Sequence, residues 1–147
     1  MTLLRQAQSL ILHYDTNDPE QILNAMNIKV LSCPMQGLRG VYKRIKRNTV
    51  VIVDSDLDER TRTFVLGHEL GHHMLHRSEN RVFLERCTFL KTNKFETEAN
   101  TFSLCLMAPN PSAVIYPGET IDNLASRLGV EQKLAELYAK EVSCFFK

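Results

Sequence analysis

His68, Glu69 and His72 form an H-E-x-x-H set within Phe64-Val65-Leu66-Gly67-His68-Glu69-Leu70-Gly71-His72. Residues four apart in a helix sit one turn above each other, so both imidazoles reach the same side and can share one ion. Zinc accepts neutral imidazole at about 2.0–2.1 Å, a distance two such side chains meet together. Glu69 lies about 100° around the helix from His68, on the edge of that face. There it is placed to touch a metal-bound water without ligating the metal. A carboxylate so placed can take the water's proton as it attacks a carbonyl, then protonate the leaving amine. Val65, Leu66, Leu70 and Leu75 would bury this helix, so its polar residues need a compensating partner. The bland alternative, incidental histidines on a surface helix, leaves that need unmet.

Two histidines are only part of a catalytic zinc site, which takes a third protein ligand and one open position. A third histidine ten residues after the first is ruled out, because position 78 is Ser78 and position 75 is Leu75 rather than Gly. His73 points away from the face of His68 and His72. His76, one turn beyond His72, comes near the site edge, and both read as partners of a ligand or of the helix terminus. Glu96 and Glu98, on a later helix, both qualify as the third ligand. Glu96 is preferred because it shares a face with Ala99, Asn100, Ser103 and Met107 that is small near Ala99. Asn100, one turn on, is placed to hydrogen-bond a ligand histidine.

The elements that must carry these residues are legible from periodicity. Residues 2–14 read as an amphipathic helix, and Asp18-Pro19-Glu20-Gln21 is a helix start with Asp18 as cap and Gln21 three residues on. A strand follows at Ile28–Leu31. Val41–Ile45 and Thr49–Val53 read as a hairpin turned at Lys46-Arg47-Asn48. Helices are expected at Arg60–His76, Lys94–Met107, Thr120–Leu128 and Glu131–Phe146, with a polar irregular stretch around Val82-Phe83-Leu84 and Phe89-Leu90. The expected organisation is one α+β domain over 1–147, with a zinc-site core at about 40–110 and a helical tail at about 119–147.

Composition narrows the rest. The chain has 147 residues, 44% hydrophobic and 24% charged, ordinary for a globular protein. A formal net charge of +1 supplies no field favouring nucleic acid or anionic lipid. Apolar runs such as Val50–Val53 are far too short to span a bilayer, and the amino terminus lacks the pattern of a secretory signal. A cytoplasmic location is expected. Cys33, Cys87, Cys105 and Cys144 form no C-x-x-C pair, so free and mostly buried thiols are expected, not disulfides or a zinc ribbon.

The stretch Phe64 to His76 resembles the zinc helix of the ImmA/IrrE metallopeptidases. Phe95-Glu96-Thr97-Glu98-Ala99-Asn100-Thr101-Phe102, leading to Leu106-Met107-Ala108-Pro109, is similar to that family's second motif. The hairpin around Gly40-Val41-Tyr42 and Val50–Val53 is also in the expected place, so the likeness spans roughly residues 18–110. It implies a minimal gluzincin-like fold, a small curved sheet against the zinc helix. It implies His68 and His72 as ligands, Glu69 as base and Glu96 as third ligand to Zn2+. It also implies a phage or mobile-element setting, with a helix-turn-helix transcriptional repressor as the protein substrate. Ser103-Leu104-Cys105 departs from the family's usual small and acidic residues, which bears on helix packing.

Two other readings compete. A zinc-containing regulator could sequester a repressor without cutting it, although a structural zinc needs no base and prefers four protein ligands. Residues 121–139 have the outline of a helix-turn-helix. Its second helix carries Glu131, Glu136 and Glu141 against Lys133 and Lys140, which disfavours direct DNA binding and favours packing or partner docking. The basic hairpin of Arg39, Lys43, Arg44, Lys46 and Arg47 is either a solvated edge or the wall of a peptide groove. The substrate itself and the oligomeric state are not written in the sequence.

Overall fold

The structure is a computed structural model that describes residues 1–76 and 94–143. The sequence features expected at 77–93, and Cys87, Cys144 and Phe146 with them, lie outside the described residues. Six helices and a three-stranded sheet are present among the described residues, an α+β architecture. In chain order they are α1 (Leu3–Tyr14), α2 (Pro19–Ala25), β1 (Lys29–Cys33), β2 (Gly40–Ile45), β3 (Asn48–Asp54), α3 (Glu59–Leu75), α4 (Lys94–Met107), α5 (Ile121–Leu128) and α6 (Gln132–Val142).

Local chemistry sets the helix starts. Thr2, Asp18, Asp58 and Thr120 each accept a hydrogen bond from a backbone N–H of the first turn they precede. Pro19 follows its cap at the position where a missing N–H costs nothing. Gln21 does not close a reciprocal box with Asp18. The Thr16 hydroxyl donates to Gln21 Oε1 at 2.6 Å and accepts from the Asp18 N–H, so it occupies both groups. Gly129 ends α5 in the left-handed region at φ 72°, which a residue with a side chain adopts only under strain.

The sheet order is β1-β3-β2, with β1 parallel and β2 antiparallel to the central β3. Asn48 belongs to β3 and pairs with Ile45, so the hairpin turn has two residues, Lys46 and Arg47. Val51 and Val53 of β3 and Tyr42 of β2 are buried, and both strands pack on α3. The core runs from Leu4, Ala7 and Leu10 of α1, through Ile22, Leu23, Leu66, Leu70, Phe102 and Leu106, to Ala135, Tyr138 and Val142 of α6. Each fully buried aliphatic side chain contributes roughly 1.5–3 kcal/mol of transfer free energy.

The closest helix pair is α3 against α4, and small residues make it so. A Cβ on Gly71 would lie 3.1 Å from Ala99 Cα and 3.2 Å from Ala99 O, both backbone atoms. A Cβ on Gly67 would overlap Ser103 Oγ. Ser103, the departure from the family pattern, fits this contact: its hydroxyl donates to Phe64 O at 2.7 Å and is wholly buried.

The carbonyls at the end of α4 are satisfied by distant elements. Asn17 donates to Leu106 O at 3.0 Å, Tyr138 to Ala108 O at 2.8 Å and Gln8 to Pro109 O at 2.8 Å. At the other end of the tail, Glu141 Oε2 accepts from the Leu4 N–H at 3.1 Å, beside the start of α1. The apolar face of α6 is thereby spent inside the core. No helix among the described residues is long and apolar enough to cross a membrane.

Candidate metal centre

Three residues of α3 (His68, Glu69 and His72) and two of α4 (Glu96 and Asn100) build the centre. His68 and His72, one turn apart, place their Nε2 atoms 3.1 Å from each other. Glu96, in the first turn of α4, lies across from them. Its two carboxylate oxygens stand 3.1 Å from His68 Nε2 and 2.8 Å from His72 Nε2. The Gly71–Ala99 contact brings α4 near enough for a glutamate one turn before Ala99 to span that gap.

All three side chains are buried. Burial pushes the Glu96 carboxyl up, but hydrogen bonds with His68 and His72 outweigh it and hold the carboxyl at about 2. Glu96 is therefore an ionised carboxylate at neutral pH.

The outer ring atoms of both histidines are engaged. His68 Nδ1 donates to Asn100 Oδ1 at 2.7 Å, and this leaves the lone pair of a neutral imidazole on Nε2. His72 Nδ1 lies 3.1 Å from His76 Nδ1. Once both Nε2 atoms give up their protons, as metal ligands do, two imidazole nitrogens and a carboxylate aim electron pairs at one small buried volume, an arrangement that repels itself unless a cation takes the place of those protons. A tetrahedral ion with bonds of about 2.0–2.1 Å separates its ligand atoms by roughly 3.3 Å. The spacings of 2.8–3.1 Å lie close to that. The residues fit a metal ion.

A cleft of about 400 Å³ opens beside this cluster, lined by Leu38, Arg39, Gly40, Phe64 and Val65 together with His68, Glu69, Glu96 and Asn100. Glu69 is buried and is not among the three clustered groups. A Cβ on Gly40 would stand 3.4 Å from Glu69 Oε1 and only 2.6 Å from Val65 Cγ1. Glycine at the start of β2 is what lets that strand approach α3 at Glu69, a close-approach role its place in the sequence does not announce.

The remaining candidates separate cleanly. His73 points to the sheet, where its Nδ1 meets the Tyr42 hydroxyl at 2.6 Å and ties β2 to α3. His76 is buried and turned toward His72 rather than into the cluster. Glu98 stands off the cluster too: its side chain is partly exposed, with Oε2 3.9 Å from His76 Nε2. Cys105 is buried and its thiol is pushed up to about 12 by desolvation, whereas Cys33 is exposed at an edge strand.

A profile of the IrrE N-terminal-like domain, a peptidase family, matches residues 23–139. The chain belongs to this metallopeptidase family. It is 37% identical over 140 residues to "Uncharacterized immunity region protein 2" of Bacillus phage phi105, covering 92% of this chain and 89% of that one. It is 26% identical over 156 residues to "Metallopeptidase ImmA" of Bacillus subtilis (strain 168), covering 95% and 92%. Among solved structures, a Mycobacterium tuberculosis transcriptional regulator superposes with a TM-score of 0.60 at 15% identity, a likeness of fold alone. That match covers 95% of this chain but 46% of the regulator. In this family member the buried His68-His72-Glu96 group is the one that could hold a metal ion among the described residues.

Proposed function

We propose that this chain is a zinc-dependent endopeptidase whose substrate is a protein, namely a helix-turn-helix repressor of a phage or mobile element. The observation that carries the reading is the convergence of His68 Nε2, His72 Nε2 and the Glu96 carboxylate beside a cleft that Glu69 helps to line. Family membership supports peptidase chemistry, and the phage relative, named as an immunity region protein, accords with a repressor as target. We take residues 1–147 as one metallopeptidase domain.

In this reading His68, His72 and Glu96 hold Zn2+. Bound zinc lowers the pKa of water at its open position and polarises the substrate carbonyl. Asn100 fixes the His68 tautomer so that Nε2 keeps its lone pair for the ion. The Glu69 carboxylate takes a proton from the attacking water and delivers it to the nitrogen of the leaving amine.

The edge of β2 binds the substrate backbone. Asp54 N–H donates to Arg39 O at 2.9 Å, making Arg39 and Asp54 a hydrogen-bonded pair. Alternation along an antiparallel ladder then turns the backbone groups of Gly40 and Tyr42 away from β3. Among the described residues no strand pairs with that side. An extended peptide adding there passes directly over Glu69 and the ligands, and the basic hairpin borders its path.

The test is co-expression of the chain with a candidate repressor, following fragments and reporter output together. The parent should yield fragments and derepress, and Glu69→Gln should do neither. A non-cleaving regulator would derepress equally well with Gln at position 69 and give no fragments from either chain.

A further inference from the structure

We infer that His76 is a positioning residue for His72, with the Glu98 carboxylate close enough to favour the required tautomer through its charge and without ligating the metal. This inference rests on the zinc reading of the cluster above. In the His72–His76 contact two Nδ1 atoms face each other at 3.1 Å, so one must donate and the other accept. A histidine that gives its Nε2 lone pair to an ion carries its proton on Nδ1. His72 is therefore the donor, and His76 Nδ1 the acceptor. A neutral His76 that accepts at Nδ1 has its own proton on Nε2, and that atom faces Glu98 Oε2 at 3.9 Å, within ion-pair range though longer than a direct hydrogen bond.

The chain of groups from the ion outward is thus His72, His76, Glu98: His76 fixes the proton of His72 by a hydrogen bond, and the Glu98 charge favours the Nε2–H form of His76 from 3.9 Å. Its geometry is set by packing. His76 is 3% exposed, and the Phe95 ring packs edge-on against it at 4.5 Å between centroids. Position matters too: His76 lies one turn beyond His72, just past the end of α3, and Glu98 lies two residues after Glu96 on α4. The same helix pair that closes the ligand set closes this outer set. Partners of this kind raise a ligand's basicity and fix its ring, and their loss costs about 10–100-fold in metal affinity.

The experiment is zinc competition against a chromophoric chelator for the full chain, with circular dichroism to verify folding. His76→Leu keeps an apolar group against Phe95 but has no acceptor, and should lower zinc affinity about 10–100-fold. His76→Asn places an oxygen near the lost Nδ1 and should restore most of that affinity. Packing alone would give the opposite order, with Leu tolerated and Asn worse. Glu98→Ala should fall between the parent and His76→Leu, and a larger loss than His76→Leu would make Glu98 a ligand and overturn the inference. A folded His76→Leu that binds zinc like the parent overturns it as well. Should the Leu variant not fold, nitrogen-15 spectra of the zinc-loaded parent decide, since a His76 proton on Nδ1 is incompatible with the proposed chain. A parent that takes up no zinc defeats the zinc reading itself, which separates the two failures.

Discussion

At the scale of single residues, the proposed reading divides the centre into three groups that would hold the ion and one, Glu69, that would transfer protons. Glu96→Ala removes the carboxylate between the two Nε2 atoms and should reduce bound zinc from one equivalent to well below it, read by elemental analysis of purified protein. Equal zinc in Glu96→Ala and the parent would dismiss Glu96 as a ligand. Glu69→Gln, in contrast, should keep its zinc, because Glu69 stands outside the cluster. Its cleavage rate should drop about 10²–10⁴-fold, the usual contribution of a general base. The burial of His68, Glu69, His72 and Glu96 is the common cause of both effects. Away from bulk water, a charge or lone pair acts at nearly full strength on whatever stands opposite.

At the scale of elements, the distance between α3 and α4 decides whether three candidate ligands or two come together. Gly71→Val would drive side-chain atoms against the Ala99 backbone, which cannot yield as a flexible side chain would. Expected costs are about 1–3 kcal/mol of stability together with weakened zinc binding, since Glu96 moves with α4. A thermal melt paired with a zinc titration checks both, and a variant that melts lower yet binds zinc normally would refute the coupling. The α2–α3 contact carries a pH dependence instead. A hydrogen bond from Arg62, at 2.7 Å to Glu20 Oε2, holds the Glu20 carboxyl below its ordinary 4.5 against the opposing effect of burial. The pair's contribution is therefore present above pH 4.5 and lost as pH falls through the lowered folded value. Arg62→Met should cost about 0.5–1 kcal/mol at pH 7, a partly exposed pair being worth no more. In urea unfolding, the gap between variant and parent should close at pH values below that lowered pKa.

At the scale of the whole molecule, a metal held at the proposed site and the fold should support each other. A ligand that binds only the folded chain adds about 2.7 kcal/mol at a free concentration 100 times its Kd. Zinc should then raise Tm by roughly 5–10 °C for a chain of this size, reversed by chelator and absent in His68→Ala. The C-terminal helix α6 takes part in that same cooperative unit. Tyr138, wholly buried, donates to Ala108 O just past the end of α4, and Tyr138→Phe should cost about 1–3 kcal/mol because the carbonyl stays buried without its donor. A Phe variant as stable as the parent would instead leave α6 loosely attached.

Much of the fold and centre was legible in the residues, because the signals are local. The i, i+4 spacing of His68 and His72, the caps at Asp18 and Asp58, the alternation in β2 and β3 and the small face around Ala99 each depend on a few neighbouring residues. Choosing between Glu96 and Glu98 was harder, since two glutamates two apart at the start of one helix read alike until the opposing helix is in place. The same holds for Gly40, whose closeness to Val65 and Glu69 arises from residues 25 and 29 positions away, and for Ser103, whose hydroxyl meets the Phe64 carbonyl across the helix pair. Helix spacing alone fixed which side chains share a face. Only the packing of α4 against α3, and of β2 beside them, decided what each face meets, because contacts between distant segments are set by the shape of the whole core rather than by any local run of sequence.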